Sequence, residues 1–209
     1  MVAILKTSPL FREPKIYTFA EYLRREEKAV EKHEFYNGKI IKMPGGTDIH
    51  SEISVNTTSA LKFIVRPLPK KYKVYNSDLK IFIEPSDIGV YPDALVVCEQ
   101  TQYWQNRRDV IVNPLLIAEV LSPSTQSYDR LGKFELYKLL PSFKEYVLIN
   151  ADKTSVETRF REEPDLWRIK TEDDINQSIS LRSLGVSISL ADIYEDIVFA
   201  VKKVNRKSK

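Results

Sequence analysis

Two acids stand where acids are costly. The stretch PLLIAEVLSPSTQSYDRLGKFELYKLLPS, residues 114–142, sets Glu119 between Leu115, Leu116, Ile117 and Ala118 on one side and Val120 and Leu121 on the other. Such a run reads as a strand buried on both faces, where an ionised carboxylate must be paired, hydrogen-bonded or bound to a cation. Asp93 opens a second apolar run, YPDALVVCE, directly after Pro92. If these runs are neighbouring strands, the two carboxylates converge at one end of a sheet, with the backbone carbonyl of Val120 as a further oxygen. That donor set suits a hard divalent cation, Mg²⁺ or Mn²⁺, which completes its octahedron with water and a substrate's phosphate oxygens. Asp129, Lys133 and Tyr137 follow at spacings of four, hence on one helical face. An ammonium aimed at two carboxylates stays protonated, and it can orient a water or stabilise charge on a pentavalent phosphorus. The chemistry this suggests is metal-assisted phosphodiester hydrolysis. A purely structural reading of the same residues pairs Glu119 with Arg130 or Lys133 as a buried ion pair.

The elements that must position these groups follow from the local pattern. YTFAEYLRREEKAVEKHE predicts a first helix, with Thr18 and Glu21 placed as a capping box. HEFYNGKIIKMP carries Asn37-Gly38 between two strand-like halves, a hairpin signal that puts Glu34 on its first strand. DIHSEISVNTTSALKFIVRPL predicts a second helix, with His50 near its start. YKVYNSDLKIFIE reads as one strand, PSDIGV as a turn, and QTQYWQNRRDVIVN as a polar connection. YDRLGKFELYKLL predicts a helix ended by Pro141, and EYVLINA then returns as a strand. Strand, helix, strand implies a crossover and a parallel pair. The remainder alternates as a meander before a final helix over LADIYEDIVFAVKKV.

Taken in order, HEFYNGKI, the His of IHSEI, YPDALVV, AEVLSPSTQSYDRLGKFELY and EYVLIN resemble the Uma family of restriction-endonuclease-like proteins of the PD-(D/E)XK superfamily. The resemblance spans roughly residues 17 to 155. It implies an α/β fold with a restriction-endonuclease-like mixed central β-sheet flanked by helices. It also implies Mg²⁺ or Mn²⁺ as cofactor and DNA as partner. Carried onto this chain, it makes Asp93 and Glu119 metal carboxylates and Glu34 a further acidic ligand or a water-positioning group. His50 becomes a contact to phosphate or to a metal carboxylate. The superfamily's lysine, two positions after the glutamate, is Leu121 here, and the resemblance makes Lys133 its substitute. That departure keeps open an inactive nucleic-acid- or protein-binding module on the same fold. A metal-free pair of acids of the glycosidase kind would need an aromatic cleft, and Lys133 argues against it.

Composition bounds the rest. The 209 residues, 43% hydrophobic and 29% charged, fit one domain over 1–209, with an irregular arm at 1–15 and a basic tail at 203–209. A formal net charge of +3 permits nucleic-acid contact only through a local basic surface. KKYK at 70–73 and RRD at 107–109 are the candidates. Tyr103, Trp104, Tyr128 and Tyr137 could stack on bases, although aromatics in such folds more often fill cores. Cys98 is the single cysteine, and with two histidines it makes no zinc pattern. The start MVAILKTSP is too short for a signal peptide, and no stretch approaches the ~18 apolar residues of a membrane span. These features predict a cytoplasmic protein without membrane contact. Cutting both strands of a duplex further suggests a homodimer.

Overall fold

The computed structural model describes residues 15–122 and 126–199. Helix α1 (Phe19–Glu26) begins at the expected capping box. The Glu21 amide donates to Thr18 Oγ1 at 3.2 Å, and the Thr18 amide donates to Glu21 Oε2 at 2.8 Å. Its Phe19, Tyr22 and Leu23 are buried, and Phe19 stacks on Phe82 at 3.9 Å between ring centres. Strands β1 (His33–Tyr36) and β2 (Lys39–Lys42) form the hairpin, with Asn37 at φ 45° and Gly38 at φ 82°. Both central residues take the positive φ that a two-residue turn matched to strand twist requires.

Helix α2 (Asp48–Val65) starts at Thr47, whose hydroxyl accepts the His50 amide at 3.2 Å, and buries Ile53, Thr57, Leu61 and Val65. The run expected as one strand is two, β3 (Tyr72–Asn76) and β4 (Lys80–Ile83), which lie in different sheets. Asn76 Oδ1 accepts the Asp78 amide at 3.2 Å, and this local turn sends the chain from one sheet to the other. The expected turn PSDIGV contains a further strand, β5 (Ile88–Val90), entered through Asp87 at φ 49°. After β6 (Ala94–Cys98), the polar connection holds the short β7 (Val110–Ile111).

Next come β8 (Leu116–Leu121), a wide π-helical segment Tyr128–Lys133, α3 (Phe134–Tyr137) and β9 (Glu145–Asn150), which pairs parallel with β8 as the crossover predicts. Strands β10 (Val156–Glu163) and β11 (Leu166–Glu172) form a hairpin, and β12 (Ser178–Leu181) and β13 (Val186–Ser189) another. The last helix is a correction. α4 covers only Leu190–Ile193, because Tyr194 leaves helical geometry and Asp196 sits at φ 59°. The arm through residue 14 and the tail from 203 lie outside the described residues.

Five strands form one mixed sheet in the order β2-β1-β5-β4-β7, and six form another in the order β11-β10-β9-β8-β6-β3. The six-stranded sheet has a core on each face. Ala118 and Val120 of β8 pack with Ile53 and Leu61 of α2, whereas Ile117 and Leu121 pack with Tyr137, Phe143 and Tyr146. Successive strand side chains alternate between faces, so Glu119 shares the second face with Ile117 and Leu121. Among the described residues no helix is long and apolar enough to cross a membrane.

Candidate active site

Strands β6 and β8 are antiparallel neighbours with Ala94 opposite Ala118, so the next position along sets Asp93 beside Glu119. The convergence expected of the two acids is therefore built by strand register. Asp93 stands just before β6, and its Oδ2 accepts the Val120 amide at 2.7 Å. Glu119 is 3% exposed, among apolar neighbours.

The cationic partner of Glu119 comes from the π-helical segment. Lys133 Nζ lies 3.1 Å from Glu119 Oε1, 3.3 Å from Asp129 Oδ1 and 3.8 Å from Glu34 Oε1. Tyr137 donates its hydroxyl to the same Glu119 oxygen at 2.8 Å. Wide turns of this kind recur at functional sites, and here one lets Asp129, Lys133 and Tyr137 reach inward together. Burial pushes the Glu119 carboxyl up to about 8; Lys133 pulls the other way, and Asp93 and Asp129 add to the rise. Burial alone would depress Lys133, but Glu119, Glu34 and Asp129 outweigh it and hold the ammonium well above the usual lysine range. Burial and Glu119 likewise keep the Tyr137 hydroxyl protonated, as a donor.

Glu34 enters from β1. Its Oε2 accepts the Tyr36 hydroxyl at 2.6 Å and its Oε1 the Tyr91 amide at 3.4 Å. His50, from the first turn of α2, sets Nε2 3.4 Å from Asp93 Oδ2. The hydrogen bond to Asp93 raises the imidazole above its usual value, burial opposes that, and contact with the Val120 backbone adds to it. Every residue expected at the site, namely Glu34, His50, Asp93, Glu119, Val120, Asp129, Lys133 and Tyr137, is thus found in one neighbourhood. Of the two cations that a structural pairing of Glu119 could use, Lys133 makes the contact, and Arg130 turns away to Glu157 at 2.5 Å.

The surrounding cleft, of about 340 Å³, is walled on the side of α2 by the loop Met43, Pro44, Gly45 and Gly46. Four carboxylates, Glu34, Asp93, Glu119 and Asp129, face one ammonium and one imidazole there, so negative charge is in excess. Among the described residues no three His, Cys, Asp or Glu side chains form a ready-made metal cage. The donor set fits instead a hard cation that keeps several waters and needs only one or two carboxylates. Asp93 and Glu119, set beside one another by the register of β6 and β8, are carboxylates of that kind, and a divalent charge would offset the local excess.

Sequence reasoning missed Tyr36, Tyr91 and the Gly45-Gly46 loop. Tyr36 had a signal, since it lies two positions after Glu34 on one strand and so on the same face. His33 is half-buried against Glu26 at 3.1 Å. Trp104 packs edge-on against Phe19 and Phe82 as core rather than as a base platform. Arg107 is tied to Glu27 and Asp109. Ser124 and Thr125, between β8 and the helical segment of Lys133, lie outside the described residues.

Residues 19–191 match the Uma2 family, described as "Putative restriction endonuclease". The uncharacterized protein sll1609 of Synechocystis is 38% identical over 136 residues, 65% of this chain and 76% of its own. The uncharacterized protein slr1290 of the same organism is 34% identical over 179 residues, 86% of this chain and 92% of its own. The crystal structure of a "putative nuclease" from Anabaena variabilis is similar with a TM-score of 0.66. It is 20% identical, covers 85% of this chain and 97% of that one, and establishes the shared fold.

Proposed function

Because this chain belongs to the Uma2 family of restriction-endonuclease-like proteins, we propose that it is a cytoplasmic, Mg²⁺- or Mn²⁺-dependent endonuclease that hydrolyses DNA phosphodiester bonds. The observation that carries the reading is Lys133. The superfamily's lysine position is occupied by Leu121, which is 2% exposed in the core, yet an ammonium reaches Glu119 at 3.1 Å from a separate element. A structural ion pair needs one carboxylate; this lysine is shared by three, beside two further site groups, in a cleft open to a ligand.

Asp93 and Glu119 would hold the cation, with the Val120 carbonyl beside them. Bound there, the cation supplies Lewis-acid polarisation of the scissile phosphate and a water acidified toward neutrality. The Val120 amide fixes one Asp93 oxygen, and His50 steadies the same carboxylate from α2. Lys133 has three protons to give, and its longest contact, to Glu34, is the easiest to exchange for a substrate oxygen. Aimed there, it stabilises charge on the pentavalent phosphorus or orients the attacking water. Tyr36 keeps Glu34 turned toward the same space. Cleavage of both strands of a duplex calls for two such sites, which a C2 homodimer supplies.

The test is cleavage of single- and double-stranded DNA at low salt with Mg²⁺ or Mn²⁺. Wild type should cut, and Asp93→Asn and Glu119→Gln should not while remaining folded. DNA retention without cleavage or metal affinity in the wild type would instead establish a binding module on this fold.

A further inference from the structure

Helix α2 has a second face. Opposite its buried residues, the surface runs from His50, against Asp93, to a cationic cluster at its far end. The segment 62–73, KFIVRPLPKKYK, holds five cations and no carboxylate, in a chain with 32 Lys and Arg against 29 Asp and Glu. Lys62, Arg66, Lys70, Lys71 and Lys73 are exposed, and they surround a hollow of about 780 Å³ together with Phe63, itself 78% exposed. Among the described residues none of the five has a carboxylate partner; Glu99 borders them, its amide donating to the Lys71 carbonyl, without an ion pair to any. Like charges gathered without counter-charges repel one another, and a polyanion relieves that repulsion.

The cluster is continuous with the candidate active site. A groove of about 720 Å³ is lined by Ser51, Ser54, Thr58 and Ser59 of α2, with Lys32 and Lys42 among the other wall residues. It meets the site at His50 and Asp93, and it meets the cationic hollow at Ser59. The short side chains leave room for a sugar-phosphate backbone to lie against the helix.

We propose that the outer face of α2 is the track of the DNA backbone, with Lys62, Arg66, Lys70, Lys71 and Lys73 gripping phosphates remote from the scissile one. The assignment of the scissile end rests on the nuclease reading; the grip itself does not. From His50 to Lys62 the helix advances about 18 Å at about 1.5 Å per residue. At about 3.4 Å per nucleotide along one strand, the cluster meets phosphates roughly five to seven nucleotides from the cut.

The experiment is fluorescence anisotropy of labelled duplex DNA with EDTA present, comparing wild type with Lys70→Glu/Lys71→Glu after thermal melts show both folded. The variant should bind at least about tenfold more weakly, with a salt slope shallower by about two, one for each phosphate that the protein no longer neutralises. On duplexes ending fewer than about five base pairs from the cut on that side, variant and wild type should bind alike. Equal affinity on long duplexes, or no DNA binding by wild type, overturns the proposal. So does a variant that loses binding to phosphatidylserine vesicles but keeps DNA, because the surface then serves a membrane. If affinity depends on the cluster but wild type cuts nothing with Mn²⁺, the nuclease reading falls and the track stands. Cutting by wild type with unchanged affinity in the variant does the reverse.

Discussion

Lys133 Nζ sits 3.1 Å from Glu119 Oε1, although one residue belongs to a central strand and the other to the helical segment that covers it. Leu121, on the same face of that strand as Glu119, is packed into the core. The ammonium therefore arrives from above rather than from along the strand, and the carboxylate meets it at the same oxygen that Tyr137 contacts.

Lys133→Met should lower single-turnover DNA cleavage by about 10²–10³-fold, the cost of losing one preorganised charge donor. Breaking a buried pair commonly costs about 3–5 kcal/mol. Here Glu119, already pushed up to about 8, can take a proton once its partner is gone, but Asp129 and Glu34 lose the same cation, so a cost of that size should appear. Parallel urea melts and quench-flow cleavage separate the two effects. A folded variant cutting at the wild-type rate would remove Lys133 from the chemistry.

The metal-free protein should weaken as pH rises from about 4.5 to about 8 in a way that depends on Glu119. Its folded value lies above the ordinary one, so in that window the folded state binds more protons than the unfolded chain, and stability falls with rising pH. Glu119→Gln cannot lose a proton there. Urea midpoints measured from about pH 5 to about pH 9 should therefore decline in wild type relative to this variant, then run level above about pH 8. A constant difference across the range would mean that Glu119 ionises normally in the fold.

Gly89 is required by packing. A Cβ added there would collide with the Phe19 ring, which is itself wedged between Phe35, Phe82 and Trp104. Gly89→Ala should cost about 1–3 kcal/mol, the usual effect of overfilling a packed core. The strain also reaches the site, since Tyr91, two residues on, donates its amide to Glu34 and its hydroxyl to Glu26 of α1, so cleavage per folded molecule should fall as well. Denaturant melts read the first quantity, and active-site-normalised rates the second.

Local signals proved the most legible in the sequence. The capping box of Thr18 and Glu21 and the Asn37-Gly38 hairpin are settled within four residues, and both are found. Asp93 and Glu119 could be joined in advance because two apolar runs each carry one misplaced acid, and adjacent strands do the rest. The π-helical turn at Tyr128–Lys133 was hidden, since its residues have the same spacing in an ordinary helix. The division of β3 from β4 depended on one Asn side chain capturing a backbone amide. The final helix stopped early at Tyr194, whose hydroxyl donates to the Asn150 and Ser155 carbonyls, tertiary contacts that periodicity does not carry.

The role of Glu34 can be decided through its neighbour. Tyr36 lies two residues along β1 and gives Glu34 a hydrogen bond of 2.6 Å, while burial keeps the phenol protonated across the working pH range. If Glu34 contributes to holding the cation, that hydroxyl orients a ligand, and outer partners of this kind are commonly worth about 10–100-fold in metal affinity or activity. Tyr36→Phe keeps the ring, and with it the edge-on contact to Tyr128, so the hairpin should stay folded. Calorimetric titration with Mn²⁺ should then show affinity reduced by at least about tenfold. Unchanged affinity together with slower cleavage would place Glu34 beside the attacking water instead, and unchanged values for both would make it a structural partner of Lys133 alone.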